Sequence, residues 1–168
     1  MPYGEGAGSK TKVRSATTED VEGIHVLACE LAETVGDSPP RFEEVRARLV
    51  DLLREPRARI LVAEGEGGAV TGVVSFWIKP DLAHGDTVVE VPMLVVTEGS
   101  RREGVGKALM EEVQRLAAEN EANLLELVAT THNVAAREFY RTLGFVETDH
   151  ITLEFVGNME DPPDPEED

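Results

Sequence analysis

Apolar residues recur along this chain with two periods, and the changes between them mark its elements. Residues 12–16 form a short strand candidate. Thr17-Thr18-Glu19-Asp20 has the hydroxyl-x-x-acid spacing that opens a helix, and Val21, Ile24, Ala28, Leu31 and Ala32 then share one face until Gly36 stops it. Ser38-Pro39-Pro40 is expected to cap a second helix, whose stripe is Phe42, Val45, Leu49 and Leu52 and whose end is set by Pro56. Beyond Pro56 the period shortens. Residues 60–63 and 70–79 read as two strands joined by turn chemistry over 64–69, which predicts an antiparallel hairpin. A loop over 80–86 leads into a β-branched strand, residues 88–96.

That strand carries Pro92, which has no N–H to donate and therefore belongs at a bulge or an edge. A bulge there would splay the strand from one neighbour and open a wedge in the sheet. After a turn at 97–100, Val105, Leu109, Val113, Leu116 and Ala117 make the apolar stripe of a helix ending near Asn120, and residues 124–129 return as a strand. Strand, helix, strand is a crossover that makes the two strands parallel neighbours. Asn133 starts a short helix that Gly144 ends, with Ala136, Phe139 and Leu143 facing inward. Residues 145–148 and 150–156 are expected to close the domain as a β pair.

Composition narrows the possibilities. A chain of 168 residues is one domain by length, here 13–156, with a polar, Gly-rich mobile tail over 1–12 and an acidic, Pro-rich disordered tail over 157–168. Residues 4–11 have a superficial likeness to a phosphate-binding Walker loop, but Ser9 stands where its second glycine belongs and no strand precedes it. The single cysteine, Cys29, lies in a helical apolar pattern and reads as a buried thiol in a reducing compartment. With 33 acidic against 16 basic residues the formal charge is −17, a field that repels nucleic acid and anionic membranes and suits a cationic amine. Neither a signal peptide nor an apolar run long enough to span a bilayer is visible, so a cytoplasmic protein is expected. Asp81, His84 and Asp86 have the spacing of an ordinary polar turn, and no metal is expected there.

The candidate chemistry centres on residues 88–107. Gly104 and Gly106 remove two β-carbons where the N–H groups of a helix N-terminus point outward, so an anion can approach the main chain, and Arg101 and Lys107 add positive charge. A phosphate cradle is the reading. A dinucleotide fold also uses G-x-G, but Leu109 stands where its third small residue belongs and only one crossover is visible.

Two motifs carry a family resemblance. Arg101-x-x-Gly104-x-Gly106 after a strand resembles the pyrophosphate motif of the GNAT N-acetyltransferases, and Asn133-x-x-Ala136-x-x-Phe139-Tyr140-x-x-x-Gly144-Phe145 resembles their second signature. The resemblance implies an α/β fold (α+β in some schemes), with a central mixed, mostly antiparallel twisted sheet of about six to seven strands, splayed between strands four and five and flanked by about four helices. It implies acetyl-CoA as donor and a primary amine of a small molecule as acceptor, aminoglycoside-, polyamine- or amino-acid-like. A protein N-terminus or lysine is the alternative acceptor, and a non-catalytic acyl-CoA-binding module is the alternative of another class. Family habit implies a homodimer.

The same resemblance assigns positions. Arg101, Arg102, Gly104, Val105, Gly106 and Lys107 would hold the pyrophosphate, Leu94, Val95 and Val96 would lie along the pantetheine arm, and Asn133 would touch that arm. Tyr140 matches the tyrosine near the thioester sulfur, a proton donor to the leaving thiolate, and Glu90 matches a glutamate that deprotonates the amine. The backbone near Met93 would polarise the thioester carbonyl. Strand alternation leaves open whether Glu90 points to the cleft or to the surface, and His84 and Asp86 stand behind it as further bases. Two departures are present: Thr97-Glu98 replaces a frequent proline-containing turn, and Arg102-Glu103 stands where a glycine and a basic residue are common.

Overall fold

The computed structural model describes residues 11–160; residues 4–10 of the Walker-like stretch and residues 161–168 of the acidic tail lie outside the described residues. Five strands, β1 (Lys12–Ser15), β2 (Ala58–Glu64), β3 (Val70–Asp81), β4 (Asp86–Val96) and β5 (Leu124–Leu127), form one sheet in chain order. Four helices accompany them: α1 (Val21–Val35), α2 (Phe42–Arg54), α3 (Val105–Glu119) and α4 (Val134–Thr142). The first four strands pair antiparallel, and β5 returns parallel to β4 after the α3 crossover. None of these helices is long and apolar enough to cross a membrane.

Adjacent residues of β3 show how the layers sit. Gly72 faces α3, and a β-carbon built on it would stand 2.9 Å from Val105 and 3.0 Å from Leu109. A glycine is therefore required for the helix to lie this close to the sheet. Val73 points the other way, into a core with Ile60, Val62 and Val95 from the sheet, Ile24 and Leu27 from α1, and Leu49 from α2. So α3 covers one face and the α1–α2 pair covers the other.

The entry to α1 is fixed by charge as well as by capping. Thr17 N–H donates to Asp20 Oδ2 (2.7 Å), and Arg14 of β1 grips both oxygens of the same buried carboxylate at 2.8 Å. The guanidinium holds the Asp20 carboxyl below the usual carboxylate range. A buried carboxylate without such a partner would be costly.

Several elements depart from the sequence pattern. The start of α2 is not capped by Ser38: Arg41 is its N-cap, and its N–H donates to Glu44 Oε2 (3.1 Å). Pro39 and Pro40 bias the residues before them toward extended backbone, which delays the helix. The β3–β4 hairpin is tighter than a loop over 80–86, because Asp81 already pairs with Asp86. The sheet has five strands rather than six or seven, since residues 145–160 form no strand. Alternation there selects a face but supplies no ladder partner, and Ile151 and Leu153 remain 80% and 85% exposed. Cys29 is half-buried, with its sulfur 3.4 Å from His25 Nε2.

The chain divides into two compact units, residues 1–130 and 131–168. The sheet with α1, α2 and α3 belongs to the first, and α4 to the second.

Candidate active site

The first unit's site is made by an interruption in β4. Toward β5 the parallel pairs run from Val88 with Leu124 to Val91 with Leu127 and then stop, so Met93, Leu94, Val95 and Val96 have no strand on that edge. Toward β3, Ser75 pairs with Met93 but Trp77 with Glu90, so β4 carries one extra residue around Val91-Pro92. This is the bulge that the missing donor of Pro92 invites. The ladder is lost on one edge and bent on the other at the same place.

The extra residue also decides where Glu90 points. In a regular strand Met93 and Val91 would share a face; with the bulge, Met93 and Glu90 do. Glu90 pairs in register with Trp77 and Glu126, which places it on the sheet face that α1 and α2 cover. It is partly exposed there and accepts a hydrogen bond from Lys79 Nζ. Val91 turns to the other face and is buried.

Beyond the free edge, the chain makes a 3-10 turn (Glu98–Ser100) and enters α3 at Gly104, whose φ of 81° is left-handed. No side chain caps this helix, so the first-turn N–H groups of Val105, Gly106 and Lys107 remain open to an outside acceptor. Arg101 and Lys107 are exposed beside this end; Arg101 Nε donates to Val96 O (3.2 Å), and Lys107 lies 3.8 Å from Glu111. Arg102 is itself left-handed, at φ 66°. Sequence reasoning did not anticipate that α1 braces the start of this turn: Thr97 Oγ1 donates to Glu30 Oε1 (3.0 Å), while Glu30 Oε2 is shielded and without a partner.

In the second unit, Asn133 caps α4 by accepting the Ala136 N–H on Oδ1 (3.1 Å), which commits that oxygen and leaves its amide nitrogen for other contacts. Tyr140 is held between Phe139 and Phe145, at ring-centroid distances of 5.3 and 5.6 Å. Burial raises its phenol above the ordinary tyrosine value. Gly144, at φ 94°, ends the helix, and Phe145 N–H turns back to Tyr140 O (3.1 Å). Arg137 pins the following segment through Glu147 at 2.8 Å.

The model of the Acetyltransferase (GNAT) family matches residues 24–145, which span both units' motifs. The chain belongs to that family. This GNAT protein is 28% identical over 137 residues to an aminoalkylphosphonate N-acetyltransferase of Salmonella typhimurium, covering 82% of this chain and 86% of that one. An aminoglycoside N-acetyltransferase, AAC(6')-Iy, solved in complex with CoA, superposes with a TM-score of 0.76 at 20% identity, covering 89% and 96% of the two chains. A Bacillus halodurans C-125 transcriptional regulator has the same fold, with a TM-score of 0.77 at 20% identity over 88% and 99%.

Acetyl-CoA is the donor of the GNAT family, and the first unit's residues fit such a molecule. An uncapped helix N-terminus suits a pyrophosphate, and a strand edge without a partner suits the amides of a pantetheine arm. Of the residues expected to act, the first unit brings together Glu90, Leu94, Val95, Val96, Arg101, Arg102, Gly104, Val105, Gly106 and Lys107 along one strand–turn–helix path. Asn133 and Tyr140 lie in the second. The further bases considered do not join Glu90: Asp81, His84 and Asp86 cluster at the tip of the β3–β4 hairpin, where His84 Nδ1 pairs with Asp81. Sequence reasoning missed Lys79, whose pairing with Glu90 depends on the hairpin register rather than on any motif.

Proposed function

We propose that this GNAT enzyme transfers the acetyl group of acetyl-CoA to the primary amine of a small molecule, by direct attack with both substrates bound. The observation that carries this reading is the break at Pro92, which opens the edge of residues 93–96 beside the uncapped start of α3. Acetyl-CoA supplies the acetyl group as a thioester and leaves as a free thiol. Backbone N–H groups among Met93 to Val96 donate to the carbonyl oxygen as negative charge develops on it. Glu90 accepts the proton of the attacking amine, which takes the place of Lys79 Nζ on that carboxylate; the Lys79 contact supports the reading in that the carboxylate is open to an alkylammonium. The Tyr140 phenol donates its proton to the departing sulfur. Burial raises the Tyr140 pKa, so the donor form persists through neutral and mildly alkaline pH and is lost only as pH rises past the ordinary tyrosine value.

The small-molecule acceptor is favoured by likeness: the Salmonella relative is an aminoalkylphosphonate N-acetyltransferase. Release of free thiol is measured with acetyl-CoA and a panel of small amines, for the protein and for Tyr140→Phe. Turnover with at least one amine, falling about 100-fold in the variant with CoA affinity retained, is expected. No thiol above background with any amine, or a variant as fast as the parent, counts against the reading.

A further inference from the structure

The sheet face beneath α1 and α2 is incompletely filled. A cavity of about 230 Å³ lies there, walled by Ala28 of α1, Val45 and Leu49 of α2, Ile60 of β2, Ser75 of β3 and Met93 of β4. It opens to solvent on one side and is several times larger than the roughly 30 Å³ that a water takes up in the liquid, which leaves room for a small organic molecule. The charged residues that reach it, Glu44 and Arg48, have side chains 52% and 73% exposed and so stand at its mouth, paired with Arg41 and Asp51. Its interior is hydrocarbon with one hydroxyl, that of Ser75.

The cavity's position matters as much as its lining. Ser75 and Met93 are a cross-strand pair on the face that also carries Glu90. Met93 is the first residue after the bulge, where the free edge of β4 begins. A molecule seated in the cavity touches Met93, and Glu90 is the next residue of β4 on the same face, so an amine reaching past Met93 meets both the carboxylate and the edge to which the transferase reading assigns the thioester.

We propose that this cavity is the acceptor pocket and that it selects monoamines with an uncharged, apolar body, arylalkyl or branched alkyl, over polycationic or phosphonate-bearing amines. The inference rests on the transferase reading above and narrows its acceptor. An apolar body gains by leaving water for such a lining. A second ammonium or a phosphonate in the same place loses its hydration and finds no free counter-charge among the cavity's walls. The overall negative charge draws cations to the protein in general, but the cavity's walls offer no free charge, and the amine's single charge is met outside them by Glu90 in exchange for its contact with Lys79. In the step itself the amine nitrogen bonds to the acetyl carbon as the carbon–sulfur bond breaks. Glu90 takes the amine proton and the sulfur receives one from Tyr140.

The test compares phenethylamine, spermidine and 2-aminoethylphosphonate by thiol release, and measures phenethylamine binding to the protein by calorimetry without donor. Phenethylamine is expected to exceed the other two in kcat/KM by about tenfold or more, the scale of discrimination an apolar pocket supplies. Ala28→Leu fills the cavity with a good helix former and is expected to weaken phenethylamine binding about tenfold while acetyl-CoA affinity holds. Ser75→Val, which removes the hydroxyl and adds bulk, provides a second reading should Ala28→Leu fail to fold. Spermidine or aminoethylphosphonate used as well as phenethylamine, or phenethylamine binding indifferent to both substitutions, overturns the pocket and leaves the transferase standing. No thiol release with any amine overturns the transferase reading, and this inference with it.

Discussion

The two halves of β4 are built from similar residues and serve different ends. From Val88 to Val91 the strand is paired on both edges and its side chains are mostly buried; from Met93 to Val96 it is paired only toward β3. One proline and one extra residue separate them. The first half spends its backbone groups on the sheet, and the second keeps an edge available. An edge open to a ligand is thus left inside a strand by withholding a partner, and the same bulge re-aims the carboxylate next to it.

The sharpest way to break this contrast is to remove the re-aimed carboxylate. Glu90→Gln keeps shape and loses the proposed base, and kcat is expected to fall about 100-fold, the lower range for general-base catalysis. Glu126→Gln is the control, since Glu126 pairs with Glu90 in register on the same face but lies on β5. Equal losses in the two variants, measured by thiol release, would mean that the face's charge matters and the bulge's aim does not.

Next in size is the layer behind the strand. Gly72→Val pushes a side chain into Val105 and Leu109, and overpacking of this kind costs about 2 kcal/mol or more. Because α3 begins at the same place, the helix start is displaced from the free edge. Urea unfolding and CoA titration should both respond; a loss of stability with CoA affinity intact would separate the helix start from the edge.

A matched pair of truncations then compares the halves directly. Val89 is fully buried in the doubly paired half, and Val89→Ala should cost about 2 kcal/mol through lost burial and the cavity left behind. Val96 is only partly buried in the singly paired half, and Val96→Ala should cost about 0.5 kcal/mol while raising the Kd for CoA severalfold. Similar stability losses without any change in Kd would erase the distinction.

Much of this was legible from the residues. Pro92 announces its bulge because a missing N–H is visible in any sequence, and Gly104 and Gly106 announce an approachable helix start. The direction of Glu90 was not legible, because a one-residue shift in where the bulge falls reverses the face. Lys79 was hidden for a related reason: its partner is set by the register of a hairpin. The expected C-terminal β pair failed because the alternation of Ile151, Leu153 and Phe155 specifies a face and not a ladder. The cavity under α1 and α2 left no trace in the apolar stripes, since a pattern records which residues face inward and not how well they fill the space. The second signature was readable, and its Asn133 proved to be the cap of α4, a role that any Asn before a helix can take.

The smallest effects test the loop where the free edge hands over to α3. Two residues there are left-handed, Arg102 at φ 66° and Gly104 at φ 81°, and only the second is a glycine. Gly104→Ala places a β-carbon where nothing lies within 4 Å, so its cost comes from backbone conformation alone, about 1 kcal/mol. If phosphate oxygens approach that position, the same methyl should also raise the Kd for CoA about tenfold, more than conformational strain in the free protein explains. Arg102→Gly runs the opposite experiment. It relieves a comparable strain, but the glycine's greater freedom in the unfolded chain offsets the gain, leaving a net change within about 0.5 kcal/mol. Urea unfolding and CoA titration of the two variants form a single comparison. Gly104→Ala weakening CoA more than Arg102→Gly does would assign the close approach to the main chain at Gly104. The reverse order would assign it to the Arg102 side chain and make the loop's charge, rather than its open backbone, the counterpart of the free strand edge.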